Sequence, residues 1–252
     1  VLRVRKTHLM RAPNTTQARE ADRGPGAVPL GKDDMMEMKR SYRILRGVAK
    51  VFTPKMETTW AEPFDGTPSV FCPNHAGAMG PVDMCVHFEL KDQSHPWFNA
   101  AVADPRQMPA YVRQDYWWKP GCKMEWLYNA TLPYLGAAVL PPIMRTVPGV
   151  PVYHDMQVIK TFRKSIEFLK KGEHLIIFPQ QPSGYGSHYM ELNQGFLQIA
   201  PMAWRTLGLK LKFYPVHISK RTIAVGKPVQ FDPEVPLKDQ QQRLIDGIAA
   251  GI

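Results

Sequence analysis

Asn74, His75 and Asp83 are the residues whose types and spacing best suit proton transfer. They lie in the stretch Val70-Phe71-Cys72-Pro73-Asn74-His75-Ala76-Gly77-Ala78-Met79-Gly80-Pro81-Val82-Asp83. Val70 and Phe71 end an apolar run that reads as a buried strand. Asn74-His75 then falls at the strand's carboxyl end, where open α/β sheets place their sites. Pro81 suits the first turn of a helix, because its missing N–H needs no partner there. Asp83 follows in the same turn. A carboxylate beside an imidazole fixes the ring's tautomer, and the other ring nitrogen is then free to take a proton from a hydroxyl. A histidine near an aspartate is more often an ordinary loop pair, so the assignment depends on the segments that position it.

Those segments alternate. Residues 1–32 are polar, rich in Pro and Gly and without periodicity, and read as a disordered tail. The segment 33–52 reads as an amphipathic helix. Met38, Tyr42, Leu45, Ala49 and Phe52 form its apolar stripe, flanked by Lys39, Arg43, Arg46 and Lys50. Such a helix either packs on the body with its basic side in water or lies on an anionic membrane. Met56–Phe64 and Thr67–Pro73 read as strands joined at the Asp65-Gly66 turn as a hairpin. A helix is expected from Pro81 to about Leu90, then strands at Trp97–Val102 and Ala110–Val112. An aromatic, helical stretch follows from Tyr116 to Tyr134, broken near Pro120-Gly121. Helices at Gln157–Lys171, Leu192–Leu207 and Leu237–Ile248 alternate with strands at His174–Phe178, Leu209–His217 and Thr222–Val229. Together these predict an α/β fold: a single mixed, mostly parallel sheet flanked by helices over 33–252, with the amphipathic helix at its start.

The net charge is +10, from 32 Lys and Arg against 22 Asp and Glu. Such a surface favours an anionic partner. Cys72, Cys85 and Cys122 form no disulfide framework and fit a reducing compartment. No apolar run approaches the ~18 residues of a membrane span, and Val1–Arg11 lacks the apolar core of a secretory signal. Cys72, His75, Cys85 and His87 have zinc-binding side chains. Cys85 and His87, however, point about 200° apart on a helix, so no metal is expected. A Gly-x-Ser-x-Gly elbow and a phosphate-binding Walker loop are both absent. The basic residues are dispersed and match no nucleic-acid module, so no nucleic-acid partner is expected.

The order of motifs resembles the phospholipid/glycerol acyltransferase family, the lysophosphatidic acid acyltransferases and their relatives, over roughly Met56 to Phe231. Asn74-His75 matches that family's Asn-His. Leu169-Lys170-Lys171-Gly172 resembles its Leu-x-x-Gly helix end, and Leu175-Ile176-Ile177-Phe178-Pro179 resembles its strand running into Phe-Pro-Glu-Gly-Thr-Arg. Gly195–Ala200, Tyr214-Pro215-Val216 and Ala224-Val225-Gly226-Lys227-Pro228-Val229 follow in the family order. Two positions depart from the pattern. The family Asp falls at Gly80, with Asp83 three residues later, close to one helical turn. Gln180-Gln181-Pro182-Ser183 replaces the run that carries Glu and Arg.

The resemblance implies a glycerol-3-phosphate acyltransferase-like fold and transfer of a fatty acyl group from a thioester to a hydroxyl. The acceptor would be a lysophospholipid or glycerophosphate-type molecule, and the donor acyl-CoA or an acyl carrier protein thioester, with no bound cofactor. It implies His75 as general base and Asp83 as its orienter. Substrate contacts would come from Asn74, Gln180, Gln181, Ser183 and Gly184, with the phosphate-binding group at Arg145 or within Tyr153-His154-Asp155. It also implies a peripheral protein on the cytoplasmic side of an anionic membrane. The alternative is a catalytically weakened member of the same fold that binds lipid or an acyl carrier.

Overall fold

The structure is a computed structural model that describes residues 40–75, 79–114, 121–153, 156–180 and 192–252. The expected tail at 1–32 lies outside the described residues. Among the described residues, one mixed, mostly parallel eight-stranded sheet is flanked by seven α-helices. The strands are β1 (Glu57–Trp60), β2 (Ser69–Pro73), β3 (Ser94–Asn99), β4 (Val150–Val152), β5 (His174–Ile176), β6 (Lys212–Ile218), β7 (Thr222–Val225) and β8 (Val229–Gln230). The helices are α1 (Arg40–Phe52), α2 (Gly80–His87), α3 (Met108–Gln114), α4 (Glu125–Met144), α5 (Val158–Lys170), α6 (Ile199–Leu207) and α7 (Leu237–Ala249). The order across the sheet is β1-β7-β6-β2-β5-β3-β4, with β8 also on β6. Strands β6, β2, β5, β3 and β4 are parallel, so their carboxyl ends share one edge. The antiparallel pairs are β6 with β7 and β6 with β8.

Both faces of the sheet are buried, because alternate residues of a strand point to opposite sides. Val70 and Cys72 pack with Ile166 and Leu169 of α5, Ala203 of α6 and Leu244 of α7. Phe71 points the other way, into Met84 and Phe88 beside α2, with Tyr214 and Val216 of β6. Helix α5 ends before Gly172, whose φ of 82° lies in the left-handed region that glycine enters without strain. Gly208 closes α6 in the same way at φ 65°.

Besides shifted ends, with β3 stopping at Asn99 before the short helix Ala100–Ala103 and α6 starting at Ile199 after a 3-10 turn at Gly195–Gln198, the sequence reading needs four corrections. First, β1 and β2 are not a hairpin: β1 pairs in parallel with β7, and two strands separate it from β2. The Asp65-Gly66 turn is real, with the Asp65 carboxylate accepting from the Thr67 N–H at 3.1 Å, but it turns a connection rather than a pair of partnered strands. Second, Ala110–Val112 is helical within α3, where Met108 and Val112, one turn apart, are both buried. Third, α4 runs through Pro133, Pro141 and Pro142 to Met144, past the expected end at Tyr134. Fourth, α1 turns the expected face, Tyr42, Leu45 and Ala49, to the body, but Phe52 and Arg46 depart from the expected stripes. Tyr42 is buried, and Leu45, Arg46 and Ala49 are partly buried on the same side. Arg46 is drawn inward by Asp92 at 2.5 Å, while Ile44, Val48, Val51 and Phe52 face out. Val51 is 79% and Phe52 83% exposed, so the outward face carries its own apolar stripe beside Arg40, Arg43 and Lys50.

Candidate functional site

His75 stands two residues beyond β2, on the edge where the parallel strands end. Asn74 anchors the turn before it. The Asn74 N–H donates to the Val216 carbonyl at 3.0 Å. Its side-chain oxygen accepts from the Ile218 N–H at 2.6 Å, and its amide donates to the Ile218 carbonyl at 3.3 Å. The side chain of Asn74 is thus occupied in sewing the end of β2 to the end of β6, which fixes where His75 begins.

The other side of the site comes from β5. The ladder continues past Ile176, since the Ile177 N–H donates to the Phe71 carbonyl at 2.9 Å. Phe178 and Gln180 are thereby delivered beside His75. The His75 N–H donates to the Gln180 side-chain oxygen at 2.5 Å, and the His75 and Phe178 rings lie 5.2 Å apart. Gln180 also bridges to Leu192, and the Asn193 N–H donates to the Pro179 carbonyl at 2.7 Å. Gln180, Leu192 and Asn193 therefore meet at this edge. Gln181, Ser183 and Gly184 lie outside the described residues, as does His154.

Asp83 sits in the first turn of α2, partly buried. Burial raises its carboxyl above the ordinary range, opposed by the charge of His87 one turn along the helix. His87 is shifted down by burial, with Asp83 opposing, and its Nε2 lies 2.7 Å from the Thr53 hydroxyl at the end of α1. The structure therefore joins His75 to Gln180 and Phe178, and sets Asp83 one helical turn before His87 on α2. Arg145 lies elsewhere on the same edge, at the end of α4, where its Nε donates to the Ala103 carbonyl at 3.2 Å.

Two features of the site escaped the sequence reading. The Phe178 ring against His75 follows from the strand register, which the sequence does not spell out. The other is Lys164 of α5, which is half-buried, with its ammonium donating to the Gly149 carbonyl at 2.7 Å. Its place three residues after Thr161, whose hydroxyl donates to the Pro151 carbonyl at 2.8 Å, marks the face of α5 that meets β4.

No three His, Cys, Asp or Glu side chains gather into a metal-binding group among the described residues. Burial raises the Cys72 thiol well above its ordinary pKa, which leaves it protonated and a poor nucleophile. Among the described residues no helix is long and apolar enough to cross a membrane. Comparisons with known protein families, curated proteins and solved structures give no match for this chain.

Proposed function

We propose that this protein transfers a fatty acyl group from a thioester to a hydroxyl of a lysophospholipid or glycerophosphate-type acceptor. The observation that carries the reading is His75, seated at the carboxyl edge of a parallel sheet with its backbone held by Gln180 from the neighbouring strand. One imidazole nitrogen takes the acceptor's proton as its oxygen attacks the thioester carbon. The tetrahedral oxyanion collapses, the carbon–sulfur bond breaks, and the thiolate recovers the proton from the imidazolium. The products are an ester and a free thiol. No covalent enzyme intermediate, metal or bound cofactor is required. Asp83 is the carboxylate assigned to orient the ring.

The same reading places the protein on an anionic membrane surface. What supports it is α1, whose outward stripe of Ile44, Val48, Val51 and Phe52 lies beside exposed Arg40, Arg43 and Lys50. Apolar side chains enter the interface while the cations meet lipid phosphates.

The test is acyl transfer by the full chain, with acyl-CoA and acyl carrier protein donors offered against a panel of lysophospholipids. Transfer to any of them supports the reading. Binding of donor or lipid with no turnover supports the weakened, carrier-binding alternative, which the uncharged Gln180 at the family's Glu position favours. Asp83→Asn should lower the rate, and it should add nothing to the loss in His75→Ala if the two act as a unit. Additive losses would show that Asp83 acts independently of His75.

A further inference from the structure

We propose that α4 is a second membrane contact, lying flat in the lipid interface with its outer stripe, around Tyr134, Leu135 and Val139, among the acyl chains. This rests on the reading of a protein bound to an anionic membrane and deepens it, because it places a different helix in the bilayer.

No charged side chain stands between Glu125 and Arg145. One side of α4 faces the body, where it packs along α3 and the short helix Ala100–Ala103. Pro133 is buried on that side, and Gly136 lets α3 come close: a Cβ on it would stand 3.4 Å from Val112 and 3.7 Å from Met108. The other side carries Thr131, Tyr134, Leu135, Ala138, Val139 and Pro142, which recur at steps of three, one and four and are all exposed. Tyr134 is 59% and Leu135 60% exposed. A helix that is apolar all round belongs in a core or in lipid, and α4 has a core on one side only. It leads through residues 145–149 straight into β4, so it stays beside the body and meets a bilayer side-on.

Area, hydrogen bonding and charge each favour lipid over a protein partner. The stripe is half the surface of a helix about 18 Å long, roughly 300 Å². A stable dimer needs about 800 Å² from each partner. A protein interface also needs about one hydrogen bond per 100–200 Å². The side-chain polar groups of this stripe are already engaged: the Thr131 hydroxyl donates to the Leu127 carbonyl at 2.7 Å, and the Tyr134 hydroxyl accepts from the Arg113 guanidinium at 3.4 Å. Arg113 serves the backbone too. Pro133 has no N–H for the Asn129 carbonyl, and Arg113 donates to that carbonyl at 3.5 Å instead, where a bare carbonyl would be costly against lipid. The guanidinium lies 5.5 Å over the Tyr134 ring, so the ring can enter the interface while the cation beside it reaches the headgroups. Lys123 and Arg145 are exposed at the two ends of the helix. Glu125, the one acid of α4, is held at its start by the Gly121 N–H at 2.7 Å. A cationic rim around an uncharged stripe matches anionic headgroups over acyl chains.

The experiment measures partitioning of the full chain onto vesicles by sedimentation, with pure phosphatidylcholine and with phosphatidylcholine carrying phosphatidylglycerol. Leu135→Ser with Val139→Ser should weaken partitioning about tenfold on both kinds of vesicle, because insertion of apolar side chains does not depend on lipid charge. Both residues are exposed, so Tm should stay at the wild-type value. Replacing Arg40, Arg43 and Lys50 of α1 with Gln should weaken partitioning only where the anionic lipid is present. A second readout gains a signal instead of losing one. Leu135→Trp adds an indole to the stripe, and lipids brominated on their acyl chains should quench the added fluorescence. Unchanged partitioning of the α4 double variant on both vesicles overturns the proposal, as does an added indole that the bromines do not quench. If the α1 variant alone loses binding, α4 is not a contact and the membrane reading stands. If the wild type binds neither vesicle, the membrane reading and this proposal fall together.

Discussion

Acid should destabilise this fold through one identifiable residue, His174. It opens β5, is only 2% exposed, and its Nδ1 meets no hydrogen-bond partner among the described residues. The rings of Phe64 and Phe71 approach it edge-on at 5.3 and 5.6 Å. Burial first, then the neighbouring His95, push its pKa from 6.5 down to about 4, against a weaker pull from Asp65. The folded protein therefore refuses a proton that the unfolded chain accepts between pH 6.5 and 4. Stability rises with pH wherever the unfolded state binds more protons, so this contribution is intact above pH 6.5 and is lost as pH falls toward 4. At about 1.4 kcal/mol per pH unit, the loss amounts to about 3 kcal/mol, a large part of a typical domain's stability. His174→Leu removes the titrating group and its unpartnered nitrogen while keeping an apolar side chain between the rings. Urea unfolding of both proteins, from pH 7.5 down to 4, reads the difference directly. The wild type should lose about 3 kcal/mol more than the variant across that range. The two should be similar near neutral pH, because deleting an unsatisfied buried polar group costs little. Parallel pH profiles for the two proteins would refute the reasoning.

Replacing Arg40, Arg43 and Lys50 with Gln should weaken flotation with acidic vesicles by about 1 kcal/mol per charge at low salt, and Val51→Ser with Phe52→Ser should weaken it at any salt. Flotation unaffected by either set would remove α1 as the membrane contact. Gly149→Ala should destabilise the fold by about 1–3 kcal/mol, read as a lowered Tm, because its Cβ meets the Pro96 carbonyl oxygen at 2.6 Å and the Phe98 ring at 2.9 Å.

The parts of the fold legible in the sequence were those with strong local signals. The α5 stripe and the stops at Gly172 and Gly208 are set by neighbours a turn or a residue away, and the structure reproduces them within a residue or two. What failed depended on distant partners. Nothing near Asp65-Gly66 reveals that β1 will pair with Thr222–Val225, far along the chain. The three prolines of α4 argue locally against a helix, yet α4 continues because α3 packs along it and Pro133 and Pro141 are buried. In α1, periodicity found the helix and the face of Tyr42, Leu45 and Ala49 that meets the body, but not the second apolar stripe on its outer side. The outward stripe and the inward one are both apolar, and the inward one is held by Arg46 on Asp92 and by Tyr42, hydrogen-bonded to Cys85. At the site, His75 and Asn74 were legible from type and place. The partnership with Gln180 was not, because it requires β5 to lie beside β2.

The central claim is that His75 takes the acceptor's proton. It is tested most directly by single-turnover acyl transfer from acyl-CoA to a lysophospholipid, comparing the wild type with His75→Ala at equal folded concentration. The account predicts a rate lower by about 10²–10⁴-fold in the variant, with donor binding and Tm unchanged. Transfer by His75→Ala at the wild-type rate would contradict it.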